Sequence, residues 1–317
     1  MTRLQPARQH TAPHSRPTGA ARFPLGGRAQ ALCRALGGGA AMALALGVGT
    51  GAGPTLARAL GLAPSGFAAR LVPAALVSAV ALALVLGAVR RSGHRPALLG
   101  FGGPVASLRA LLIGVAVTGA AASGVFGLAT AAGLLRWSAP DPGALAAFLV
   151  TNAVVALLLE ALPEETTLRG YTWTSLRGAF GGAGAALGTT AVFLLVPGAS
   201  TVVGAVTARL VGAEGGQVGL APEGEHPVDY LVLLTVFGLT LVAARTAVRE
   251  APLWAAIGTH LTFLTVNRVV LEGDRRHAGW HTVHQDAVVP LLVPLYLLVA
   301  MAAFAVIGRV SRRLRCG

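Results

Sequence analysis

Pro163-Glu164-Glu165-Thr166-Thr167-Leu168-Arg169-Gly170 sets two adjacent carboxylates and an arginine at the end of a long apolar run. Ionisable groups at membrane depth are costly, and they face a cavity, a partner or a reaction rather than lipid. Whether the run is at membrane depth is decided by the rest of the chain.

Of the 317 residues, 54% are apolar and only 12% are charged. A soluble domain carries about 25% charged residues, so this chain cannot clothe a water-facing surface. It reads as an all-α, multi-pass integral membrane protein with lipid as its surroundings. All 25 basic residues are arginine, against 12 acids, for a net charge of +13. That charge does not point to nucleic acid, because basic residues interleaved with aromatics are missing. Instead arginine clusters at the ends of apolar runs, as topology determinants do. Cys33 and Cys316 lie near opposite ends of the chain, so they build neither a disulfide framework nor a cysteine metal site. Cys316 is followed only by Gly317, which is not a prenylation signal.

Crossing the hydrocarbon core takes about 20 apolar residues. Candidate spans are 36–53, 71–89, 108–135, 144–162, 179–205, 229–248, 252–271 and 288–308, about eight in all. Residues 1–30, rich in Arg and Pro and without acids, read as a disordered cytoplasmic tail. Too long for the n-region of a signal peptide, this tail makes the first span an uncleaved one. Residues 31–140 hold the N-terminal helices, 141–308 the core around the quoted motif, and 309–317 a basic cytoplasmic tail. Pro163 is expected to kink the fourth span, and Pro197-Gly198 to bend or break the fifth.

Arg3 to Arg34, Arg90, Arg91, Arg95, Arg169, Arg177, Arg245, Arg249 and Arg309 to Arg315 fall on one side of an eight-span arrangement. Most acids fall on the other, among them Asp141, Glu214, Glu223, Glu225, Asp229, Glu272, Asp274 and Asp286, together with Arg58, Arg70, Arg275 and Arg276. This bias gives an N-in, C-in topology, and the plasma membrane of a bacterium is the expected location. Gly and Ala dominate the spans and let helix backbones approach closely, so a compact bundle is expected.

On a helix, Glu165 and Arg169 stand four apart with the acid first, the favourable order for an ion pair. Glu160 and Glu164 are also four apart and share a face. Two carboxylates in a low-dielectric site resist ionising together, and such a group serves as general acid or base. The competing reading is a cytoplasmic helix end with solvated charges. A second constellation is Ala251-Pro252-Leu253-Trp254-Ala255-Ala256-Ile257-Gly258-Thr259-His260. His260 is the one histidine inside a predicted span, and the competing reading there is a satisfied packing residue. Trp254 reads as an interfacial anchor.

Glu164-Glu165-x-x-x-Arg169-Gly170, with Leu168 before the arginine, resembles the first motif of the CPBP (CAAX-processing and bacteriocin-processing, Abi) intramembrane proteases. Phe193-Leu194-Leu195-Val196 sits where that family's FxxxH motif is expected, and Gly238 with Leu253 to His260 resembles the approach to its third motif. The resemblance covers roughly residues 150–270. It implies that Glu164 activates water for attack on a membrane-embedded peptide and that Arg169 holds the Glu164-Glu165 pair or the shape of the site. It also implies that His260 stabilises the oxyanion together with an Asn four residues later. Members have been called metalloproteases, and the family is also described as glutamate-dependent without an obligatory metal, so no cofactor is implied.

The chain departs from the pattern twice. Pro197 replaces the second-motif histidine, and Leu264 replaces the asparagine. No histidine stands anywhere from Arg95 to Glu225. Asn267, seven residues after His260, lies about 10 Å along the helix axis. A proline neither accepts a proton nor binds a metal, so the expectation is a CPBP-like protein with proteolysis weakened or lost. The rival readings are a non-enzymatic relative that binds a membrane partner or peptide and a transporter-like bundle. The last lacks a pair of broken-helix repeats. His277, His281 and His284 have metal-like spacing on a helix, but Gly273, Asp274, Gly279 and Trp280 make this segment an external loop.

Overall fold

The computed structural model describes residues 27–221 and 226–313. The tail expected over 1–30 lies almost wholly outside these residues, as do Glu223, Glu225 and Cys316. The fold is an all-helical bundle of α1 (Arg28–Ala59), α2 (Phe67–Arg91), α3 (Pro104–Ala131), α4 (Pro142–Ala156), the single turn α5 (Leu162–Glu164), α6 (Trp173–Leu210), α7 (Pro227–Ala247), α8 (Pro252–Val270) and α9 (Leu292–Arg313). Six helical runs among the described residues are long and apolar enough to cross a membrane. The protein is a multi-pass membrane protein.

Local sequence sets the helix starts. Proline opens α3, α4, α7 and α8, where its missing N–H costs nothing. Asp141 caps α4 by accepting from Gly143 N and Ala144 N, each at 3.0 Å. α3 stops at Gly133, whose φ of 76° permits the closing bonds Gly133 N to Thr130 O and Leu134 N to Ala129 O. The span expected to reach residue 135 therefore ends at Ala131.

The run Pro142–Leu210 is the longest, at 69 residues. It does not break where proline stands. Helix continues through both Pro163 and Pro197. The reversal falls instead at Gly181, with φ 69° and ψ −170°, a conformation open essentially only to glycine. The Arg169 guanidinium consequently lies 4.5 Å from the centre of the Phe193 ring, 24 positions later in the chain. A straight helix would separate them by about 36 Å.

Small residues set the packing. α1 lies against α6 and α2, α3 against α8, and α7 against α9. A Cβ on Gly114 would collide with Ala255 O, and one on Gly258 with Leu111 O. Only glycine lets α3 and α8 meet this closely. The central core joins Met42, Leu168, Phe193, Phe237, Phe263, Tyr296 and Leu297 from six segments.

One element went unforeseen. β1 (Leu135–Trp137) pairs antiparallel with β2 (Thr282–Gln285) beneath stacked Trp137 and Trp280, centroids 4.2 Å apart. His277 (φ 51°) sits in a turn, His281 precedes β2 and His284 lies within it, so the three share no helical face.

Candidate active site

The motif lies between two stretches of π-helix, Leu157–Ala161 and Glu165–Thr172, on either side of α5. A π turn admits an extra residue and rotates the following side chains relative to an α-helix, and such turns recur at functional sites. Widened turns also leave carbonyls in need of donors. Ser78 Oγ on α2 donates to Leu158 O at 2.5 Å, and Thr167 Oγ1 donates to Pro163 O at 2.8 Å.

Every side chain from Glu164 to Thr172 is buried, which excludes a solvated helix end. Glu165 Oε1 is the hub. It accepts from Arg169 Nη1 at 3.4 Å and lies 2.9 Å from His260 Nδ1 on α8. All three residues are at most 2% exposed. Phe193 on α6 covers the Arg169 guanidinium, and Phe237 on α7 meets the His260 ring edge-on, centroids 4.9 Å apart. The structure thus brings together Glu165, Arg169, Phe193 and His260 from three parts of the sequence.

Glu164 is also buried, at 9% exposure, and lies within electrostatic reach of His260, Glu160, Arg169 and Glu165. Its carboxylate has no hydrogen bond among the described residues. The two neighbouring glutamates are therefore unlike: Glu165 is tied into the scaffold and Glu164 is uncommitted. Other buried polar atoms around them, Glu165 Oε2, Thr166 Oγ1, Arg169 Nε and Nη2 and Thr259 Oγ1, also lack a protein partner. Buried polar groups in this condition are rare and mark strain, reactivity or a place for water. Among the described residues no group of three or more His, Cys, Asp and Glu side chains could hold a metal ion.

The two departures from the motif pattern have structural counterparts. Pro197 lies within α6, and its carbonyl accepts from Ser200 Oγ at 2.8 Å. Leu264 packs against the central hydrophobic core. Asn267 is turned to other work, accepting from the Tyr296 hydroxyl at 3.1 Å.

Sequence reasoning missed a second polar cluster. Arg268 on α8 donates through Nη2 to Glu160 Oε1 at 2.5 Å and through Nη1 to Asn152 Oδ1 at 2.9 Å. Asn152 Nδ2 in turn donates to Thr265 Oγ1 at 3.1 Å. The signal was present, since Arg268 is a charge inside a predicted span. Arg245, read as a topology determinant, is instead buried and donates to Leu99 O at 3.0 Å. It pins the short 3-10 turn Pro96–Leu99 to the bundle. Arg169 is likewise buried rather than facing a water phase.

Residues 145–266, less than half of the chain, match the family model described as type II CAAX prenyl endopeptidase Rce1-like. No curated protein and no solved structure matches the chain. The matched residues include Glu164, Glu165, Arg169 and His260, and over this segment the chain is similar to the Rce1-like family.

Proposed function

We propose that the protein is a glutamate-type intramembrane endopeptidase of weakened turnover, acting on a membrane-embedded peptide from within a bacterial plasma membrane. The observation that carries this reading is the division between the two glutamates. Glu165 holds Arg169 and His260 through one oxygen, and the Glu164 carboxylate beside it is buried without a hydrogen bond among the described residues. A carboxylate that is close to the site and uncommitted is what a general base requires.

In this reading Glu164 takes a proton from water as the water oxygen bonds to the peptide carbonyl carbon. The C–N bond then breaks, and the proton passes to the leaving amine. One water is consumed, leaving a carboxylic acid and an amine. His260 is fixed through Nδ1 on Glu165, so Nε2 is the ring atom left to donate to the developing oxyanion when the ring is charged. Arg169 keeps the Glu165 carboxylate in place. The missing second-motif histidine lowers turnover, because Pro197 offers no side-chain acceptor for the water.

Pro197 also supports a second reading, a non-enzymatic relative that binds a membrane peptide in the same pocket. The test is cleavage of membrane-embedded peptides by purified protein in lipid, with Glu164→Gln as the control. Slow cleavage lost in the variant supports the peptidase. Peptide binding with no Glu164-dependent cleavage supports the binder.

A further inference from the structure

We infer that Glu160, positioned by Arg268 and Asn152, takes the place of the missing histidine and holds the second hydrogen of the water that Glu164 activates, an inference that rests on the peptidase reading. Two observations meet here. The Glu164 carboxylate is buried with no hydrogen bond among the described residues, so a water at it needs its other hydrogen received elsewhere. Glu160 lies one turn earlier, within electrostatic reach of Glu164 and 22% exposed along its side chain. It stands on the first π-helical stretch, whose widened turns set its direction relative to α5.

Glu160 is also oriented as a working carboxylate should be. Arg268 Nη2 takes its Oε1, Asn152 fixes the other arm of the guanidinium, and Thr265 fixes Asn152. Only Oε1 receives these bonds, and among the described residues Oε2 has no hydrogen bond that would withhold it from water. A chain of base, orienting cation and second support is the arrangement expected of a group with a task in the reaction. Arg268 supplies the positive charge that lets two carboxylates stand near one water.

The step balances without another reagent. Water gives one hydrogen bond to Glu160 and one to Glu164, which aims its lone pair at the peptide carbonyl carbon. Glu164 removes its proton as the C–O bond forms. Glu160 transfers nothing; it accepts a hydrogen bond before and during attack. Glu160 thus touches the reacting water, whereas Arg268 and Asn152 are positioning residues.

The experiment is steady-state cleavage of a membrane-embedded peptide by the full chain in lipid vesicles, comparing native protein, Glu164→Gln, Glu160→Ala and Glu160→Gln. Glu160→Ala is expected to lower kcat by about 100-fold, the lower end for a positioned acid–base group, with KM changed little. Added formate, a free carboxylate that fits the space left by the truncated side chain, is expected to restore part of the lost kcat. If Glu160→Ala does not fold, a folded Glu160→Gln with reduced kcat and unchanged KM supports the same conclusion. A kcat within about twofold of native in either folded variant, or a fall in Glu160→Ala that formate leaves untouched, overturns the role of Glu160 while the peptidase reading stands. Absence of Glu164-dependent cleavage in the native chain removes both.

Discussion

Glu164 and Glu165 are chemically identical neighbours that the structure has made unlike. Glu165 lies at the meeting of Arg169 and His260, and Glu164 bonds to neither. Their replacements should separate cleanly. Glu165→Ala leaves the Arg169 guanidinium buried without the carboxylate it pairs with, and breaking a buried pair from one side costs about 3–5 kcal/mol. Glu164→Gln removes no side-chain hydrogen bond and replaces a buried, unpaired carboxylate with a neutral amide, so it should not destabilise the fold. Denaturant unfolding in a mild detergent measures both, and equal losses would contradict the division of labour. The ion pair between Glu165 and Arg169 was legible in their spacing. Contact of Glu165, rather than its neighbour, with His260 was not, because π-helical turns change which side chain faces α8, and nothing in residue type announces them. Arg268 was visible as a charge within an apolar span, yet its partners Glu160 and Asn152 lie over 100 positions away and only the fold joins them.

At the scale of elements, the apolar runs located the long helices, and two details moved. Proline at 163 and 197 suggested breaks, but a helix buried in a membrane bundle satisfies freed carbonyls through neighbours, as Ser78 on α2 does for Leu158 O, five residues before Pro163. The turn went to Gly181, where φ is 69°. Gly181→Ala should therefore cost about 1–3 kcal/mol, the range for forcing a non-glycine residue into that region. Gly124→Ala on α3 should cost nothing, because a Cβ there meets no atom within 4 Å. Thermal unfolding of the two variants side by side checks the contrast. The β1–β2 pair escaped notice because three- and four-residue strands carry too little alternation to read.

For the whole molecule, an excess of apolar over charged residues was enough to indicate a polytopic bundle. Orientation rests on arginine, and the structure removes Arg169 and Arg245 from that count by burying them. Arg90, Arg91, Arg249, Arg309 and Arg313 remain on the proposed inner side. Reporter fusions after Arg315 should read cytoplasmic, and fusions within 214–226 external. An external signal at the C-terminus would contradict an N-in, C-in arrangement.

The central claim is that a family site lacking its second-motif histidine still works, slowly, through Glu164. The most direct measurement is cleavage of membrane-embedded peptides by the purified full chain in lipid vesicles, run beside Glu164→Gln at matched amounts of folded protein. The account predicts slow cleavage in the native protein that falls by about 100-fold or more in the variant. Cleavage that persists in Glu164→Gln, or a native protein that cleaves none of the peptides, would contradict it.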